Sequence, residues 1–170
     1  MNYDQLKESI LDYAKDIRLN LDAVIQRSSL DPEVAGACAI AAAYAAKMDI
    51  SPFKQFSNEQ EAAAALVAAA LMGMNNVWYP YVEMAGDAEL KGMPAGLRMS
   101  AYATSGGTTK DRFEAYALAA SIVGKCHFCV KSHYDLLKQH GWTTKQLQDI
   151  GRIAAVVAAV AQVGAQQLNS

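Results

Sequence analysis

Alanine constrains this chain more than any other feature. The runs from Ala62 to Met74 and from Ile153 to Ala161 are alanine-rich and almost wholly apolar. Alanine is the strongest helix former, and its small side chain lets helices approach closely. β-branched residues never gather into alternating runs, so no segment reads clearly as a strand. The chain is therefore read as all-α, with about eight helices. Its 170 residues fit a single domain, 1–170, with one substantial core.

Apolar residues make up 52% and charged residues 19%, and most of the apolar excess is alanine. Both long runs fall short of the ~20 apolar residues of a spanning helix, so close helix packing is expected rather than a membrane span. Net charge is −2, with Lys and Arg scattered. That gives no footprint for nucleic acid or an anionic membrane. The start, MNYDQLKESI, lacks the basic-then-apolar order of a secretory signal, and export is not expected. Three cysteines in such a chain do not suggest a disulfide scaffold; a close pair there points to catalysis or metal binding.

Helix starts are marked repeatedly. Asp31-Pro32 reads as N-cap and first helical residue before an apolar run to Met48. Ser57 with Gln60, Thr108 with Asp111, and Thr143 with Gln146 match capping boxes, the last opening a long helix towards Leu168. Stops are expected at Asp49-Ile50-Ser51-Pro52, Gly73, Gly86, Gly124 and Gly141. The glycine-rich stretch 86–107 is the least regular, with room for one short helix around Leu97 to Ala103. An offset of 51 lays Leu71-Met72-Gly73 over Ile122-Val123-Gly124 and Asn75, Trp78 and Val82 over Cys126, Cys129 and His133. A duplicated helical hairpin would explain it.

Val123 to Gly141 holds two of the three cysteines and all three histidines. A helix starting near Lys125 or Cys126 puts Cys126, Cys129 and His133 within about 60° of one another, with Leu136 and Leu137 on roughly the same face. Lys131, Tyr134 and Lys138 point elsewhere. Cys126 in the first turn meets free N–H groups that favour a thiolate. His133, four residues after Cys129, can reach its sulfur directly or through one water. Glu114 lies on the preceding helix, where an antiparallel hairpin brings its carboxylate to His133. Three chemistries remain open on these residues: zinc, a redox pair, or small core residues. Zinc would find only three ligands here where a structural site wants four. Cys38 reads as a core residue, His140 as a C-terminal helix cap, and His127 as a solvated helix residue.

The pattern Glu114 … Cys126-His127-Phe128-Cys129-Val130-Lys131-Ser132-His133 resembles the E-x11-C-x2-C-x3-H signature of the alkyl hydroperoxide reductase D family, within the carboxymuconolactone decarboxylase-like superfamily. DYAKDIRLNL, LMGMNNVWY and GLRMS resemble stretches of the same family, so the likeness spans the chain. It implies an all-helical homotrimer in the cytoplasm with thiol-dependent peroxidase activity against alkyl hydroperoxides and hydrogen peroxide. It makes Cys126 and Cys129 the redox pair, His133 the proton relay and Glu114 the acid that orients it. With His133 one turn away, Cys129 is read as the peroxidatic nucleophile and Cys126 as the resolving cysteine; the helix N-terminus at Cys126 favours the opposite order. No cofactor or metal would be bound. Electrons would come from dihydrolipoamide on a lipoylated dihydrolipoamide acyltransferase and could pass to a peroxiredoxin, alkyl hydroperoxide reductase C. Rival readings are an adaptor that only passes electrons on, and a metal-independent decarboxylase of the wider superfamily. One departure stands out: the family member compared has Ser-His between the cysteines, where this chain has His127-Phe128.

Overall fold

Asp31 and Pro32 open the helix around which the rest is built. The Asp31 carboxylate accepts the Glu33 N–H at 3.0 Å, and Pro32 gives up a backbone donor that would have no partner there. This helix, Pro32–Ala45, has every residue from Val34 to Ala43 buried. A helix apolar on all sides is stable only when it is surrounded, and this one packs against helices on several sides.

The computed structural model describes residues 1–167. These form nine α-helices: α1 (Tyr3–Ser9), α2 (Lys15–Gln26), α3 (Pro32–Ala45), α4 (Glu59–Ala85), α5 (Ala88–Gly92), α6 (Ala101–Ser105), α7 (Lys110–Val123), α8 (His127–Gln139) and α9 (Thr144–Gln167). Two 3-10 turns, Asp12–Ala14 and Ser51–Phe56, complete them, and no strand occurs among the described residues. The all-α expectation holds, with one helix more than expected. The expected end at Leu168 lies outside the described residues.

α2, α4, α7 and α9 surround α3. At Gly36 a Cβ would lie 2.3 Å from the Phe56 carbonyl oxygen, so the Ser51–Phe56 turn crosses α3 where no side chain fits. Two buried carboxylates tie the shell together. Glu61 accepts from Arg112 Nη1 at 2.6 Å, Tyr116 Oη at 2.5 Å and Thr108 Oγ1 at 3.0 Å, linking α4 to α7. Asp149 on α9 accepts from Ser29 N at 2.9 Å, Ser29 Oγ at 2.8 Å, Lys145 at 2.7 Å and Arg152 at 3.0 Å. α4 and α9 are long and apolar enough to cross a bilayer by length and composition. Both pack on α3 and α7, and α4 buries Glu61 and Asn75.

Several local expectations shift. α4 is capped by Asn58, which accepts from Glu61 N at 2.9 Å, rather than by Ser57. Thr109, not Thr108, stands at the N-cap position of α7 and makes no side-chain capping bond, while Thr108 turns its hydroxyl to Glu61. Thr143 and Gln146 do form their box at the start of α9. Gly86 ends α4 in the left-handed conformation, but Gly73 ends nothing: α4 runs straight through it. The 51-residue offset therefore sets one continuous helix against a broken pair, α7 and α8, and the hairpin is not duplicated. The irregular stretch holds two short helices, α5 and α6, rather than one.

Candidate active site

The break between α7 and α8 builds the site. Gly124 caps α7, and a Cβ there would lie 2.1 Å from Asn76 Nδ2, so α4 admits only glycine at that corner. Asn76 in turn donates to the Ala120 carbonyl at 3.1 Å. Lys125 follows with φ of 55°, the left-handed region that side-chain-bearing residues seldom enter. The turn brings the Cys126 N–H to the Ser121 carbonyl at 3.3 Å.

Cys126 thus becomes the N-cap of α8 and not part of its first turn. Its Sγ accepts the Cys129 N–H at 3.2 Å. Cys126 and Cys129 are joined in a disulfide with their Cα atoms 5.3 Å apart, within the usual range for a bridge. Both residues are buried: Cys126 is 0% exposed and Cys129 3%. Cys129 Sγ lies 3.7 Å from the Asn75 main-chain oxygen on α4.

One turn further along α8, His133 Nδ1 sits 2.5 Å from Glu114 Oε2 on α7. Lys110 Nζ reaches the other Glu114 oxygen at 2.6 Å. Burial pushes the Glu114 carboxyl up, but the hydrogen bonds from His133 and Lys110 outweigh it and hold the group below its usual range. An ionised Glu114 makes Nδ1 the donor, which leaves Nε2 of a neutral ring as the free acceptor. Nε2 faces Met72 Sδ of α4 at 3.3 Å. A thioether has no hydrogen to donate, so this contact is a hydrogen bond only when Nε2 carries a proton, and in either form Nε2 faces Met72 while the bridge is closed. His133 neighbours the disulfide, and a direct bond to Cys129 is not among its contacts within the described residues.

The face of α8 opposite this pair differs from expectation at one residue. Tyr134 is partly buried against the core instead of pointing away. His127 is solvated, 3.8 Å from Glu83, and His140 is the C-cap of α8. Phe128 stacks on Tyr79 with ring centroids 4.4 Å apart and planes 24° off parallel. That stack walls a groove of about 780 Å³, lined also by Trp78, Val82, Leu90 and Met93. Cys38 is remote from all this and fully buried, its Sγ 3.9 Å from the Ala115 carbonyl. Burial pushes its thiol up, away from the reactive thiolate. Among the described residues no three His, Cys, Asp or Glu side chains gather as a metal site.

Lys110, Met72, Asn75 and Asn76 escaped the sequence reading. Lys110 was within reach of it, being four residues before Glu114 on one helix face. The α4 residues carry no local signal, since only the crossing of α4 over the α7–α8 corner brings them in.

A model of the carboxymuconolactone decarboxylase family matches residues 88–166, a span that includes the disulfide, Glu114 and His133. The chain is also 43% identical over 169 residues to an alkyl hydroperoxide reductase AhpD of Rhodospirillum centenum, which covers 96% of this chain and 90% of the relative. The chain belongs to the AhpD family. Two further members of that name bear this out. One, from Bradyrhizobium sp., is 39% identical, over 95% of this chain and 92% of its own. The other, from Maricaulis maris, is 38% identical, over 96% of this chain and 97% of its own. This AhpD family member keeps an acid, two cysteines and a histidine together at the α4, α7 and α8 junction.

Proposed function

We propose that this chain is a thiol-dependent peroxidase that reduces alkyl hydroperoxides and hydrogen peroxide through Cys126 and Cys129. The observation that carries the reading is a disulfide one helical turn from a carboxylate–imidazole pair whose carboxylate is buried. In the open form the Cys129 thiolate attacks the distal oxygen of ROOH. The O–O bond breaks, Cys129 becomes a sulfenic acid, and the leaving alkoxide takes a proton from His133 to depart as ROH. Cys126 then attacks the Cys129 sulfur. The S–S bond forms and water leaves. Dihydrolipoamide reopens the bridge through a mixed disulfide and departs as the cyclic disulfide, its two thiol protons ending on the protein.

Glu114 holds Nδ1, which leaves Nε2 as the ring nitrogen that exchanges a proton with the reacting groups once the bridge opens. Both sulfurs are buried when bridged, and the groove beside Phe128, the residue before Cys129, has the aromatic and aliphatic lining that suits an organic tail. Relatives named alkyl hydroperoxide reductases support the substrate class. The donor is taken to be dihydrolipoamide on a lipoylated acyltransferase, with a peroxiredoxin, alkyl hydroperoxide reductase C, as a further acceptor. No bound cofactor or metal enters this cycle. A reducing cytoplasm suits a dithiol that must be reopened each turn. The assembly is taken to be a homotrimer, and the exposed stripe Val77, Tyr81 and Met84 on α4, at 70%, 50% and 80%, supports self-association.

The test is a dihydrolipoamide-coupled peroxidase assay with cumene hydroperoxide. Wild type turns over, and His133→Phe loses about a hundredfold or more in kcat/KM. A wild type that consumes peroxide only when the peroxiredoxin is added would replace the peroxidase by an electron adaptor. Turnover that survives alkylation of both cysteines would replace thiol chemistry altogether.

A further inference from the structure

Three buried side-chain atoms have no hydrogen-bond partner among the described residues: Asn75 Oδ1, Asn76 Oδ1 and Ser121 Oγ. Folded proteins pair the great majority of such atoms, so three left over need a reason. They also share a place. Asn75 and Asn76 lie on α4 and Ser121 on α7, at the junction where the bridge is held. Through their main chains, Asn75 lies 3.7 Å from Cys129 Sγ, and Ser121 accepts the Cys126 N–H at 3.3 Å. Asn76 is accounted for by its amide, which holds the corner at Gly124. Asn75 and Ser121 have no such duty.

Closing or opening the bridge changes what these oxygens can find. A disulfide has no hydrogen to donate. Reduction breaks the S–S bond and leaves two sulfurs that are thiols, or one thiol and one thiolate. A thiol donates to the Asn75 side-chain Oδ1, and the Ser121 hydroxyl either accepts from a thiol or donates to a thiolate. We propose that Asn75 and Ser121 are the hydrogen-bond partners of the open dithiol. Their side chains wait unpartnered while the bridge is closed and bind the sulfurs once it opens. They therefore make the bridge easier to reduce than it would be against an apolar wall. This deepens the reading above, on which it rests, by assigning two positioning residues that set the redox equilibrium of the same site.

The experiment equilibrates full-length protein with mixtures of reduced and oxidised dithiothreitol at pH 7. The dithiol fraction is read by alkylation and mass spectrometry. Ser121→Ala and Asn75→Leu each remove the polar atom with little change in shape. Each should lower the equilibrium constant for reduction about three- to tenfold, which is up to ~30 mV for a two-electron couple. The melting temperature gives the second readout: the dithiol form of each variant should lose more than its disulfide form. A packing defect would lower both forms alike and leave the constant where it was. A reducible wild type whose variants keep its constant within twofold overturns the assignment, the two oxygens then serving a structural water, and leaves the peroxidase cycle standing. A folded wild type that dithiothreitol cannot reduce overturns both.

Discussion

Cys126 and Cys129 differ in their surroundings, and in the proposed cycle that difference favours Cys129 as the sulfur that meets peroxide. Cys126 is the wholly buried cap of α8, held by Ser121, while Cys129 is slightly exposed and one turn from His133. Treated with limiting peroxide, Cys126→Ser should therefore trap a sulfenic acid on Cys129 that a dimedone-type reagent labels. Cys129→Ser should give no adduct, and the reverse pattern would exchange the two roles. Glu114 sets a second expectation. Its carboxyl is held below the usual range because His133 and Lys110 outweigh the upward push of burial. A depressed acid contributes above its unfolded value, near ~4.3, and its contribution disappears as pH falls through the folded value. Glu114 is then fully ionised at neutral pH. Glu114→Gln should lower kcat/KM about tenfold or more there and narrow its deficit against wild type as the medium is acidified. A constant ratio across the pH range would remove the carboxylate from the mechanism.

At the scale of helices, two glycines inside helices and one at a helix end give opposite predictions. Gly36→Ala and Gly124→Ala drive a Cβ to 2.3 Å from the Phe56 carbonyl oxygen and 2.1 Å from Asn76 Nδ2, respectively. Each should cost about 1–3 kcal/mol in urea unfolding, and the second should also impair the disulfide corner. Gly73 has nothing within 4 Å and lies inside α4, so Gly73→Ala should stabilise by about 0.5–1 kcal/mol. A destabilised Gly73→Ala would contradict a continuous α4. This contrast also shows what could be read in advance. Asp31-Pro32 and Thr143 with Gln146 announce helix starts because a cap acts within one turn of chain. Gly73 looks the same as Gly124 in sequence, yet one is passed over and the other obeyed. The deciding contact, Asn76 against Gly124, is tertiary. Glu114 was legible through the hairpin it implied and through the family pattern. Met72 and Asn75 were not, since nothing near them on the chain points to the cysteines.

Across the whole molecule, Asp149 fastens α9 to the loop before α3. Burial raises its carboxyl, but Lys145, Ser29 and Arg152 together bring it well below the ordinary carboxylate range. The stabilisation is present above the unfolded value near ~3.9 and is lost as pH falls through the lower folded value. Asp149→Asn should therefore unfold about 1–3 kcal/mol more easily at pH 7, with the gap to wild type closing below about pH 4. Chemical denaturation at pH 7 and pH 3.5 would measure it; an equal gap at both would assign the loss to shape and not to charge. The interior behind α8 has a last consequence. α7, which packs against α8, carries buried Ala117, Ala119 and Ala120, whose methyl groups have no rotamers to exchange, so that side of the candidate site cannot breathe by torsion. Any motion that admits a visitor must arise on the other side, where long rings swing at the water's edge.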